Sequence, residues 1–222
     1  AAARQCGRSA GRAGAAQGVG LGSSGKRGRP CQTSFDGAHI RAVSRAVGEY
    51  RAAAGINGPL VVGIETRAVS KPARESGLEV FAANGVETFI DAQGGYTPTP
   101  VISHAILTYN RGRTSGLADG VVVTPSHNPP EDGGYKYNPP HGGPADTDIT
   151  KIVERAANDY LAAGLAGVRR IPYEQALRAA CVHRHDYMTP YIEDLGAVLD
   201  MEAIRAADVA IGIDPLGGAA VA

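Results

Sequence analysis

Ile40, Val43, Val47 and Tyr50 recur at the spacing that lines one face of a helix. Asp36 stands ahead of them and Gly55 just behind, so the pattern predicts a helix from Asp36 to Ala54 with both ends capped. The period then changes. "PLVVGIE" is short, β-branched and bounded by Gly58-Pro59, as a buried strand would be. A second helix is predicted from Ser70 to about Ala83 with Gly85 ending it, then a strand over "VETFI", a helix from Thr99 to Tyr109 and a strand over "GVVVT". Strands separated by helical stretches of this length imply β-α-β crossovers and a sheet covered on both faces, so the fold class is α/β. Further on, a helix is predicted over residues 147–163, and "YMTPYIEDLGAVLDMEAIRAA" reads as helical with a proline-bounded start. The final "DVAIGIDPLGGAAVA" reads as a fresh strand at the opening of a second domain.

In 222 residues, 22 Lys and Arg balance 22 Asp and Glu, so no overall field draws the protein to nucleic acid or an anionic membrane. The balance is uneven along the chain: Arg4, Arg8, Arg12, Lys26, Arg27 and Arg29 all precede the first acid, Asp36. Residues 1–17 are rich in Ala, Gly and Arg and lack the apolar run of a signal or membrane helix, which reads as a disordered extension, with an organellar transit peptide as the alternative. Cys6, Cys31 and Cys181 are scattered and odd in number, which argues against a disulfide framework and fits a reducing, cytoplasmic setting. His183 and His185 in "VHRHD" have no further ligand nearby and read as a solvated turn rather than a metal site.

Three loops fall where strands end, the place in α/β sheets where orphan backbone N–H groups and side chains converge on ligands. In "TPSHNPP", Pro125, Pro129 and Pro130 stiffen the chain around Ser126, while His127 and Asn128 offer hydrogen bonds to a charged group on its oxygen. The bland alternative is a rigid surface turn. A Ser-His hydrolase fits poorly, because adjacent residues point apart and no G-x-S-x-G surrounds the serine. Lys136 in "GGYKY" can fold back toward the loop through Gly133 and Gly134, or serve as a solvated strand residue. "GLGSSGKRG" satisfies G-x-G-x-x-G and nearly the P-loop pattern, but no hydrophobic strand precedes it. What remains is a turn presenting Ser24, Lys26 and Arg27, suited to a phosphate or simply a flexible tail end. "GIETRAVS" sets Arg67 immediately beyond a strand, to meet an anion or to cap the sheet.

Together these loops resemble the α-D-phosphohexomutases, most closely the bacterial-type phosphoglucomutases. "ADGVVVTPSHNPPEDGGYKYNPPHGGPADTDIT" is similar to that family's phosphoserine loop and its continuation. "GSSGKRG", "VGIETRAVS", "GGYTPTP" and "GIDPLGG" are similar to further family motifs, and the resemblance runs from Val19 to the end. It implies domain one of the family over 18–205, a mixed sheet sandwiched between helices, with 206–222 as a truncated start of domain two. It also implies interconversion of glucose 1-phosphate and glucose 6-phosphate through a phosphorylated Ser126 and glucose 1,6-bisphosphate. His127 and Lys136 would then assist proton transfer and phosphate contact. Ser24, Arg27, Arg67 and Asn128 would bind substrate or phosphate, with Arg67 also supporting the loop from the neighbouring strand end. Mg²⁺ would bridge the phosphate on Ser126 to aspartates of a D-x-D-x-D-R loop that this sequence lacks, as it lacks the family's sugar-discriminating and phosphate-gripping loops. Departures from the pattern are Ser23 for Thr, Glu65 for Asp and Ile64 for Lys. The alternatives are a phosphomannomutase-type enzyme, a non-catalytic anion-binding module, and a nucleotide-binding protein using "GLGSSGKR".

Overall fold

A computed structural model describes residues 25–26, 36–124 and 132–220. A short strand β1 (Gly25–Lys26) precedes α1 (Gly37–Ala53), β2 (Leu60–Ile64), α2 (Ser70–Ala83), β3 (Thr88–Asp91), α3 (Thr99–Asn110) and β4 (Asp119–Val123). Then follow β5 (Asp132–Gly133), β6 (Lys136–Asn138), α4 (Thr147–Ala162), α5 (Tyr173–Ala176), β7 (Val182–His185), α6 (Met188–Asp194), a 3₁₀ turn over Leu195–Ala197 and α7 (Met201–Ala206). The five-stranded sheet runs β6-β4-β2-β3-β7, with β6 antiparallel to β4 and every other pairing parallel. The sheet is therefore mixed, as the resemblance implied.

Every residue of β2 and β4 is buried, which their near-continuous Val and Ile content requires of central parallel strands. One face carries α1, α2, α4 and α5 over Leu60, Val62, Ile64, Val121 and Val123. The other carries α3 and the start of α6 over Val61 and Val122, with Ile102, Ile106 and Tyr187 filling the layer. Burying Phe81 or Leu78 in such a layer contributes roughly 1.5–3 kcal/mol each. Opposite faces for α2 and α3 follow from topology. The chain leaves β2 toward β3, then crosses back past β2 to β4. Two crossovers of one hand in opposite directions put their helices on opposite sides.

Below this layer, Arg51 at the end of α1 donates through Nε to both Asp119 oxygens at 2.9 Å and through Nη2 to the Gly58 carbonyl. Tyr137 Oη donates to Asp119 Oδ2 at 2.6 Å. Burial pushes the Asp119 carboxyl up, and the guanidinium and phenol oppose it. The network joins α1, β4 and β6 at the end of the sheet remote from the loops that follow β2 and β4.

Three expectations change. The histidine pair lies in an edge strand rather than a turn: β7 pairs in parallel with β3, and His183 and His185 pack against Phe89 with centroids at 5.9 and 4.9 Å. The helical run from residue 187 is broken into α6, the 3₁₀ turn and α7, because Gly196 and the stretch before Asp200 interrupt it. The expected strand from residue 208 does not form among the described residues. Val209, Ile211 and Ile213 are exposed, with no neighbouring strand to satisfy a ladder.

Candidate functional site

The ends of β2 and β4 are adjacent, paired from Leu60↔Asp119 up to Ile64↔Val123. The connection after β2 departs toward β3, and the connection after β4 departs toward β6, so their loops diverge from a shared crevice at the carboxyl edge. That is the position where open α/β sheets bind ligands. The loop with Ser126 begins directly after Thr124, the last described residue before it.

Ser126, His127 and Asn128, and likewise Ser24 and Arg27, lie outside the described residues. Their flanks are informative. β1 pairs antiparallel with β5, matching Gly25 with Gly133 and Lys26 with Asp132. The glycine-rich turn is thereby joined to the chain that returns from the Ser126 loop, two segments more than a hundred positions apart in sequence. The same ladder disposes of the nucleotide-loop alternative. A P-loop lysine sits at the start of a helix, whereas Lys26 lies in an antiparallel strand pair.

Lys136 opens β6 opposite Val122. Directly opposed residues share a face, so Lys136 lies on the α3 side of the sheet, one position from the end of β4 at Val123. Arg67 stands after β2, where its position was expected, and the anion it meets is internal: Nη1 donates to Glu65 Oε1 at 2.5 Å. Glu65 Oε2 in turn accepts from Thr124 Oγ1 at 2.8 Å. Sequence reasoning saw Glu65 only as a departure from a family pattern. Its exit position from β2, beside the end of β4, is the signal that could have marked it.

A cleft of about 510 Å³ opens beside this cluster, lined by Glu65, Thr66, Arg67 and Ala68 on one wall and by Pro215 to Gly218 on the other. The Thr66 hydroxyl donates to the Gly217 carbonyl across it. Asp214 uses Oδ1 to accept from the Leu216 amide, which shapes that wall. Among the described residues no group of three His, Cys, Asp or Glu side chains is placed to hold a metal ion. Hard cations such as Mg²⁺ require several oxygen ligands, so the described residues do not fit one.

Residues 18–163 match the α/β/α domain I of phosphoglucomutase/phosphomannomutase. A curated phosphoglucomutase of Komagataeibacter xylinus is 68% identical over 207 residues, covering 93% of this chain and 37% of that protein. A phosphoglucosamine mutase of Bordetella pertussis is 35% identical over 123 residues, 54% of this chain and 25% of that one. This chain thus spans about a third of the length of the first relative. Parafusin (phosphoglucomutase) from Paramecium, in its open form, superposes with a TM-score of 0.64 at 18% identity, over 84% of this chain and 36% of that chain. A phosphoglucomutase/phosphomannomutase family protein from Burkholderia thailandensis superposes at 0.55 and 24%, over 78% and 34%. At those identities the two structures speak for the fold alone.

Proposed function

The chain belongs to the phosphoglucomutase/phosphomannomutase family through its α/β/α domain I, and on that premise we propose that it supplies the serine-bearing domain of a phosphoglucomutase. The observation that carries the proposal is the family match over residues 18–163, which includes Ser126 in the segment after β4, whose last described residue, Thr124, bonds to Glu65. The high identity to the Komagataeibacter phosphoglucomutase favours glucose phosphates over mannose phosphates.

In this reading Ser126 Oγ carries a phosphoryl group. The free hydroxyl of glucose 1-phosphate or glucose 6-phosphate attacks the phosphorus, the Oγ–P bond breaks, a sugar O–P bond forms and glucose 1,6-bisphosphate results. The intermediate turns over and returns its other phosphoryl group to Ser126. The attacking hydroxyl surrenders its proton to a nearby base, and His127 and Lys136 take the proton-transfer and phosphate-contact roles. Little covalent work falls to the protein in such a transfer, so positioning and charge neutralisation carry the rate. Ser24, Arg27 and Asn128 contact phosphate, and the β1–β5 pairing supports their approach to the serine loop. The phosphate on Ser126 would supply one contact to Mg²⁺, whose chemistry there would be charge neutralisation, while the aspartates of the D-x-D-x-D-R loop that would hold it are absent from this sequence. Residues 18–205 form the first domain, 206–222 lead into the next, and the setting is cytoplasmic.

Substituting Ser126→Ala in the protein at the length of its relatives tests this. Glucose 1-phosphate turnover should vanish, while circular dichroism and Tm remain those of the parent. A near-normal rate would exclude the phosphoserine role.

A further inference from the structure

We propose that Thr124 with Glu65, and Tyr135 with Ser44, are positioning pairs that fix the two ends of the Ser126 loop; this rests on the phosphoglucomutase reading above. At the outgoing end Thr124 is 4% exposed and donates from Oγ1 to Glu65 Oε2 at 2.8 Å. The other oxygen of that carboxylate is engaged by Arg67 at 2.5 Å, which fixes the acceptor in turn. The Glu65 amide also donates to the Val123 carbonyl at 3.3 Å, so backbone and side chain tie the ends of β2 and β4 together. At the returning end Tyr135 is 3% exposed and its hydroxyl meets Ser44 Oγ at 3.0 Å, inside the layer of α1 and α2. Gly77 of α2 leaves room for that pair: a Cβ there would approach Ser44 Oγ to 3.2 Å and Tyr135 Oη to 3.9 Å.

Neither pair is needed for burial. Valine and phenylalanine would fill the same space, and a neutral hydroxyl pair such as Tyr135 with Ser44 gains little net stability over apolar groups of the same shape, whereas Thr124 meets a carboxylate and its bond is worth more. What the hydroxyls add is direction, because each bond forms at one rotamer and one backbone position. Thr124 borders the segment that holds Ser126, and Tyr135 follows β5 on its returning side and directly precedes Lys136. A serine whose phosphate must meet an incoming hydroxyl in line is sensitive to such placement: a displacement of 1 Å can cost on the order of 100-fold in rate.

The test compares Thr124→Val, Thr124→Ser, Tyr135→Phe and Ser126→Ala in the protein at the length of its relatives. Glucose 1-phosphate turnover and the rate of Ser126 phosphorylation by glucose 1,6-bisphosphate are read alongside Tm. Thr124→Val should lower kcat by about 10- to 100-fold with KM changed less than about twofold and Tm lowered by only a few degrees, and Tyr135→Phe should lower kcat by about three- to tenfold. Thr124→Ser, which keeps the donor, should restore kcat to within about threefold of the parent. Should Thr124→Val fail to fold, Glu65→Gln serves in its place, with an expected loss of about tenfold in kcat, and an unchanged rate there would overturn the proposal. Parent-like kcat in both Thr124→Val and Tyr135→Phe, with Ser126→Ala inactive, overturns the positioning role alone. So does a Thr124→Ser rate as low as that of Thr124→Val. An active Ser126→Ala overturns the reading beneath it.

Discussion

Asp36 gathers the head of α1 around one carboxylate oxygen, which accepts from the amides of Ala38 at 2.8 Å and His39 at 3.0 Å and lies 2.8 Å from the His39 ring nitrogen. Partial burial pushes its carboxyl up, but the amide and ring of His39 with the Ala38 amide outweigh that and hold it below the usual carboxylate range. With the folded value the lower one, the contribution is complete above the unfolded pKa and disappears as pH falls through the folded pKa. Asp36→Ala should therefore cost about 1 kcal/mol at neutral pH, whereas Asp36→Asn keeps the cap and should flatten the fall of Tm below about pH 4. Matched Tm profiles for the parent and Asp36→Asn from pH 2 to 7 would contradict this assignment. The cap was legible from the residue type and the helical spacing behind it. Glu65 was not, since an acid after a strand is legible only as a charge until the neighbouring strand's Thr124 and the chain's own Arg67 are placed around it.

At the scale of elements, the seating of α3 on the sheet depends on two glycines. A Cβ on Gly63 would stand 2.6 Å from Ile102 Cγ1, and one on Gly120 would stand 2.9 Å from Ile106 Cδ1 and 3.0 Å from the Val61 carbonyl. The Val61 carbonyl is fixed in the ladder and yields little, and the contacts with Ile102 and Ile106 are relieved only if those side chains or α3 move outward. Gly120→Ala should destabilise the fold by about 1–3 kcal/mol in urea titration, and a midpoint equal to the parent's would show that α3 is not held so close. Long, strongly periodic segments such as α1, α2, β2 and β4 were readable from the sequence because one residue period dominates each. The two edges of the sheet were not. β6 has three residues and β7 is mostly exposed, so neither carries an apolar run, and only pairing with β4 and β3 makes them strands. The converse holds for Val209, Ile211 and Ile213, whose alternation reads as a strand but finds no partner among the described residues.

For the molecule as a whole, the topology sets the end of β4 beside that of β2 at the carboxyl edge of the sheet, and the proposed phosphoserine belongs to the segment that follows Thr124. The chain covers 37% of the Komagataeibacter phosphoglucomutase, and no metal-holding cluster lies among the described residues. Supplied with Mg²⁺ and glucose 1,6-bisphosphate, the 222-residue chain by itself should show negligible mutase turnover, and robust turnover would mean that sugar and metal are gripped by residues assigned no such role. The most direct measurement is phosphopeptide mass spectrometry on the protein at the length of its relatives after exposure to glucose 1,6-bisphosphate. Phosphate on the peptide spanning residues 120–136, localised to Ser126 and lost when excess hexose monophosphate is added, is the expected result. Rapid interconversion of hexose phosphates while that peptide stays unmodified would contradict it.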